Sequence, residues 1–279
     1  MKQPARFAPV AALLAAAAGC AAAHPAVTVA PNPAGNPAPP LPGYHLAWRE
    51  EFDGMALDMS RWTAYEGPRR DATNARDAVS VADGALTITT YTEDDEHRSG
   101  FLDTAGKEQW TFGWFEARVR FASSPGEWGA FWMTAPAMGS PVGDPASGGA
   151  EIDIVEHRAA DTAGADISNR YVANVHWDGY GPDHKHEGGA GAPEPGAVPL
   201  QGGWHTYALE WTPERYAFYL DGVKQWETRS GVSRRLEFVR LTCEVMDGGW
   251  AGSIPAAGYG SRAGSRTKMQ VDWVRVWQR

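Results

Sequence analysis

Apolar and polar residues alternate along much of this chain. Between residues 114 and 121, Phe115, Ala117, Val119 and Phe121 fall on one side, and Trp114, Glu116, Arg118 and Arg120 on the other, the period of a half-buried strand. Val79 to Thr89 alternates about Asp83-Gly84, and Arg215 to Lys224 about Asp221-Gly222. Asp-Gly accommodates the two positive φ angles of a tight hairpin turn, so both stretches are expected to be hairpins. Val271 to Trp277 reads as a strand. In Trp128 to Met133 the side with Phe131 and Met133 suits a core, while Trp128, Ala130 and Trp132 share the other side. Those two indoles are either ordinary packing or a platform on which pyranose rings stack. Only Arg61 to Tyr65 and short loop pieces suit a helix. The 32 Gly and 20 Pro also resist helix interiors. An all-β chain is predicted, a two-sheet sandwich or jelly roll.

Alternation fails at one informative place, Glu151-Ile152-Asp153-Ile154-Val155-Glu156. On a regular strand Glu151 and Asp153 share a face, but Glu156 points with Ile152 and Ile154 into the core, where an unpaired carboxylate is costly. A one-residue β-bulge around Ile154–Val155 would return Glu156 to the face of the other two. Glu151 and Glu156 would then stand roughly 13 Å apart at Cα, from four steps of ~3.3 Å. Side chains leaning together close that to about 5 Å, the separation of a retaining glycosidase pair, against about 6.5–9.5 Å for inverting enzymes. Crowding three carboxyls should raise at least one pKa, which separates an ionised nucleophile from a protonated acid. By spacing alone, an amphipathic strand with a solvated acidic face is the other reading.

These six residues resemble the catalytic signature of glycoside hydrolase family 16 in its bulged form. Supporting matches run in order along the chain: Trp48 to Gly54, His97-Arg98-Ser99-Gly100, Phe112 to Arg118, Gly129 to Met133, Trp204 to Pro213, Tyr219 to Gly222 and Val271 to Val276. The resemblance implies a jelly-roll β-sandwich of two antiparallel sheets with a concave substrate cleft. It implies an endo-acting hydrolase that cuts internal β-linkages of a polysaccharide with retention. β-1,3- or β-1,3-1,4-glucan is the expected substrate, and an agarose- or carrageenan-type galactan the alternative. A non-catalytic carbohydrate-binding jelly roll is the competing reading, against which both Glu151 and Glu156 argue.

By motif position Glu151 is the nucleophile, Asp153 its assisting carboxylate and Glu156 the acid/base. Trp128 and Trp132 match the aromatic floor, His176 matches a cleft residue beside the acid/base, and Arg98 is expected to bind substrate. No cofactor is required. A structural Ca2+ on the convex face would use Glu51 and Asp272. Leu241 to Asp247 departs from the family pattern, so Glu244 is either a cleft residue that alters substrate choice or a satisfied edge carboxylate. The segment from His176 to His186 is also unusual. A metal site from His176, Asp183, His184 and His186 is the weaker reading of it, a solvated loop the stronger.

Composition and charge narrow the partners. Thirteen Trp, nine Tyr and nine Phe suit half-buried strands and sugar surfaces alike. The formal charge is −9, and Lys2 and Arg6 are the only charged side chains before residue 44, so the rest is more acidic still. Nucleic acid is therefore excluded as an expected partner, and sulfated polymers are mildly disfavoured unless a local basic patch overrides the balance. The two cysteines, Cys20 and Cys243, make no disulfide framework.

Lys2 and Arg6, an apolar run from Val10 to Ala18 and small residues to Ala23 have the order of a secretory signal. Ala17-Ala18-Gly19-Cys20 resembles a lipoprotein cleavage box, so lipidation of Cys20 and ordinary cleavage near Ala23 both stand open. The expected organisation is a signal in 1–23, a proline-rich linker in 24–43 and one catalytic domain in 44–279. The protein is expected to be exported and monomeric, in the periplasm, outside the cell or anchored to the outer membrane, touching a membrane only through a lipid on Cys20.

Overall fold

A computed structural model describes residues 37–279. The leader, Cys20 and most of the proline-rich stretch lie outside the described residues. Two antiparallel sheets pack face to face in a jelly-roll sandwich. The first holds eight strands, in the order Val223–Thr228, Tyr216–Leu220, Trp204–Trp211, Gly113–Ala122, Lys268–Gln278, Ala85–Thr89 and Val79–Ala82, with His45–Glu50 also pairing Lys268–Gln278. The second holds seven, in the order Lys185–Gly191, Tyr171–Trp177, Ala150–Arg158, Glu127–Thr134, Phe238–Val245, Phe101–Asp103 and Thr63–Ala64.

Between the sheets lies one apolar core. Phe115, Ala117, Val119 and Phe121 enter it from the first sheet, and Phe131 and Met133 from the second. Burying each large side chain contributes about 1.5–3 kcal/mol. Gly129 permits a close approach of the sheets, because a Cβ there would stand 2.8 Å from Cε1 of Phe121. Both expected hairpins form. Asp83 and Gly84 take φ of 54° and 72°, and Asp221 and Gly222 take 48° and 78°, the paired left-handed conformations the turns require.

The outer face of the first sheet is not a simple polar surface. Leu41 packs with Tyr44, Trp114, Ala208 and Trp277, and buried Glu116 accepts the indole N–H of Trp114 and of Trp277, each at 3.0 Å.

One local expectation needs correction. Arg61 to Tyr65 contains no helix: Thr63–Ala64 pairs with Phe101–Asp103, and Trp62 and Ala64 are buried while Arg61, Thr63 and Tyr65 are more exposed. That burial has period two, and the buried Trp62 indole, hydrogen-bonded to Glu50 at 3.3 Å, fixes it. The last strand also carries an irregularity opposite Arg118 and Val119, which pair with Trp273 and Val271 and skip Asp272. Val271 and Val274, three residues apart, thereby both reach the core.

A third, four-stranded sheet lies in the order Gly67–Arg69, Ala72–Asn74, Glu96–Ser99 and Tyr91–Glu93, and its central pair is parallel. The turn between its first two strands carries Arg70 at φ 53°. This small sheet sets Arg69 and Arg70 against the second large sheet, at Glu244.

Candidate active site

The acidic strand is bulged where its sequence requires. Against Glu127–Thr134, Phe131 pairs with Val155 and Trp132 with Asp153, leaving Ile154 unopposed. Against Tyr171–Trp177, the register runs from Asp153 and Asn174 to Glu156 and Val172, so two residues face one. Ile152, Ile154 and Val155 all sit in the core. Glu151, Asp153 and Glu156 line the same open cleft, of about 690 Å³, on the other face of the sheet.

Each carboxyl has its own partner. Glu156 accepts a hydrogen bond from Asn174 Nδ2 at 2.9 Å. Glu151 accepts one from the Tyr180 hydroxyl. Asp153, only 4% exposed, faces Nε2 of His176 at 3.3 Å. His176 in turn shares a 3.0 Å hydrogen bond between its Nδ1 and Nε2 of His184.

Burial raises the pKa of all three acids, but unequally. For Glu151 the Tyr180 hydrogen bond, then His176 and Arg240, oppose the rise. Asp153 is pushed well up by burial, Glu151 and Glu244, with nothing to counter them. Glu156 is pushed well up by burial and the charge of Asp153, against the single bond from Asn174. Both glutamates are pushed toward the acid, but the ionised form is opposed less at Glu151 than at Glu156, which separates a nucleophile from a proton donor.

The rest of the cleft follows the strand order of the sheet. On one side of the acidic strand stand Trp128 and Trp132, then Thr242 and Glu244, then Arg69 and Arg70. On the other stand Val172, Asn174 and His176, then His186, with Tyr180 on the intervening turn.

The tryptophans are more covered than an open floor implies. Trp128 is 4% exposed and Trp132 is 6%. The Arg70 guanidinium lies 5.1 Å over Trp128, beside the edge of Trp250, and that of Arg240 lies 4.6 Å over Trp132. Trp132 also donates its indole N–H to Thr242 Oγ1 at 3.1 Å.

Glu244 proves to be both a cleft residue and a satisfied one, paired with Arg69 Nη2 at 2.6 Å and with Arg70 Nε. His176 stands in the cleft, but its register partner is Glu151 and its ring contacts Asp153; Asn174 is the neighbour of Glu156. Asn174, two residues before His176 on the same face of the strand, was detectable only through that period. Arg69, Arg70, Arg158, Tyr180 and Trp250 carry no pattern in the sequence that marks them as cleft residues.

Other expected residues lie elsewhere. Arg98 is on the small third sheet, pairs with Glu96 at 3.3 Å and does not line the cleft. Glu51 receives both arms of Arg275, at 2.9 and 2.8 Å, and Asp272 pairs with Arg118 at 2.6 Å. Carboxylates already neutralised by guanidinium groups do not fit as the donor set of a calcium ion. His176, His184 and His186 stack with ring centroids 5.2–5.8 Å apart rather than converging nitrogens on one point, and Asp183 joins no group of metal-ligating atoms among the described residues.

Residues 47–279 match the family model described as "Beta-porphyranase A-D, GH16 domain". The chain belongs to glycoside hydrolase family 16. Among family relatives, a beta-glucanase of Rhodothermus marinus is 33% identical over 194 residues, which cover 64% of this chain and 64% of that protein. A keratan-sulfate endo-1,4-beta-galactosidase of Sphingobacterium multivorum is 24% identical over 253 residues, 84% of this chain and 55% of that one. The solved laminarinase of Rhodothermus marinus superposes with a TM-score of 0.66 at 25% identity, covering 85% of this chain and 98% of the other. The chain spans from 34% to 64% of the length of such curated relatives.

Proposed function

We propose that this family 16 chain is a retaining endo-glycosidase that cuts internal β-linkages of a galactan of the porphyran class. The observation that carries the hydrolase reading is the bulge at Ile154–Val155, which presents Glu151, Asp153 and Glu156 to one cleft. Glu156, held protonated, gives its proton to the glycosidic oxygen as the Glu151 carboxylate attacks the anomeric carbon, and a covalent glycosyl-enzyme forms. The Glu156 carboxylate then takes a proton from water, which attacks the same carbon and frees Glu151. Asp153, between them, holds the proton that keeps the site from carrying three negative charges.

Two observations support a galactan. The family model is described for beta-porphyranases, and Arg69, Arg70 and Arg158 line the cleft of a chain whose overall charge is −9. Porphyran is a sulfated galactan, and guanidinium groups suit its anionic esters. A β-1,3- or β-1,3-1,4-glucan is the second reading, favoured by the beta-glucanase and laminarinase relatives. Such polymers cannot cross a membrane, which accords with export through the leader-like order of residues 1–23.

The test is reducing-end release on porphyran, agarose, laminarin and lichenan, with the anomeric configuration of the first product read by NMR. Cleavage of porphyran with retention is expected. Cleavage confined to laminarin or lichenan would replace the substrate, and inverted product would remove the mechanism.

A further inference from the structure

The floor of the cleft holds a second chemical possibility. One oxygen of Glu151, one of Asp153 and one nitrogen of His176 all lie within 4.8 Å of one another. The 3.3 Å separation of His176 Nε2 from Asp153 Oδ2 is what two donors of a tetrahedral ion with ~2.0–2.1 Å bonds would show. In the tautomer that carries its proton on His176 Nδ1, donated to His184 Nε2, the Nε2 lone pair faces Asp153, the way ligating histidines are oriented by the partner of their other nitrogen. Asp153 is buried, and the His176 ring is its one polar side-chain partner among the described residues. The Tyr180 hydroxyl engages Oε1 of Glu151 and leaves Oε2 free.

We propose that Glu151, Asp153 and His176 form a binding site for a borderline divalent cation of the Zn2+ or Cu2+ kind, whose occupancy blocks the enzyme reversibly. An imidazole with two carboxylates favours such ions over Ca2+ and Mg2+, which take oxygen ligands in larger numbers. Three protein donors leave a fourth position open toward the cleft. The cation occupies the nucleophile and its assisting carboxylate, so it competes with a sugar at the point of cleavage. Inhibition rests on the hydrolase reading above; binding rests on geometry alone.

Isothermal titration of the full chain with ZnCl2 separates the two. One saturable site is expected in the wild type and in Glu156→Gln, which lacks the acid/base but keeps every ligand. His176→Gln and Asp153→Asn should each weaken binding at least about tenfold, while His186→Ala should not. Inhibition by Zn2+ should be competitive, reversed by EDTA and absent with Mg2+. No saturable binding in the wild type overturns the site. So does affinity unchanged in both His176→Gln and Asp153→Asn, each folded by circular dichroism. A wild type that binds Zn2+ but cleaves no polymer refutes the hydrolase reading and leaves the site standing.

Discussion

Asn174 Nδ2 donates to Glu156 Oε2 at 2.9 Å, across the gap that the bulge opens between the two strands. The bond favours the carboxylate, while burial and the charge of Asp153 favour the acid. Removing the donor in Asn174→Ala raises the Glu156 pKa further. A general acid remains protonated to higher pH, so the alkaline limb of kcat/KM should move upward, with a lower maximum because the carboxyl loses its alignment. A pH–rate profile checks this; an alkaline limb that moves down would contradict the assignment of the proton to Glu156.

Tyr180 acts on the other glutamate, and its loss moves the other limb. Its hydroxyl bond lowers the Glu151 pKa against the effect of burial. In Tyr180→Phe the nucleophile ionises only at higher pH, so the acidic limb should shift upward. A hydrogen bond to a charged group contributes about 1.5–3 kcal/mol, so kcat should fall roughly tenfold to a hundredfold. Single-turnover kinetics that show an unchanged glycosylation step would count against this role.

Deleting Ile154 tests the bulge itself. The shortened strand alternates regularly, with Glu151, Asp153 and Glu156 on the cleft face and Ile152 and Val155 on the core face, so hydrolysis should persist. The thermal midpoint should fall, because the core loses the buried Ile154 side chain, a loss on the order of 2–5 kcal/mol. A deletion variant that folds by circular dichroism but has lost hydrolysis would mean that strand register alone does not bring the acids together.

Two buried carboxyls outside the cleft should shape stability. Glu127 and Glu237 are each pushed up to about 8, chiefly by burial. Their protonated forms are the ones the fold accommodates, so the folded chain binds more protons than the unfolded chain between the ordinary carboxyl range and about pH 8. Stability should therefore fall as pH rises through that window and level off above it. Glu237 Oε1 accepts the Ala150 N–H at 3.1 Å, a bond that Gln preserves. Glu237→Gln and Glu127→Gln should flatten the decline, with melting temperatures closer to wild type at pH 5 and higher than wild type at pH 9. Parallel wild-type and variant curves would show that these groups do not titrate on unfolding.

Arg69 and Arg70 test the substrate. Arg70→Ala and Arg69→Ala should raise KM for porphyran several-fold or more and leave the relative rate on neutral agarose or laminarin higher than before. Equal losses on charged and neutral polymers would assign the pair to holding Glu244 alone.

Local pattern determined the hairpins, the core faces of the strands at Phe115 to Phe121 and Phe131 to Met133, and the bulge. Each follows from period-two alternation, from turn chemistry, or from the cost of pointing Glu156 inward. The same local logic misplaced Arg61 to Tyr65, where pairing with Phe101–Asp103 decided the conformation. Only the tertiary structure decided which groups surround the acids. Asn174 and His176 arrive on a neighbouring strand, Tyr180 on the turn beyond it, and Arg69 and Arg70 from a small sheet more than 170 residues from Glu244 in sequence. It also decided that Arg275 and Arg118 occupy Glu51 and Asp272, and that Arg98 lies away from the cleft. Side-chain direction along one strand is set by the backbone of that strand, whereas an ion pair or a stacked guanidinium depends on sheet order and register, which no short stretch of sequence contains.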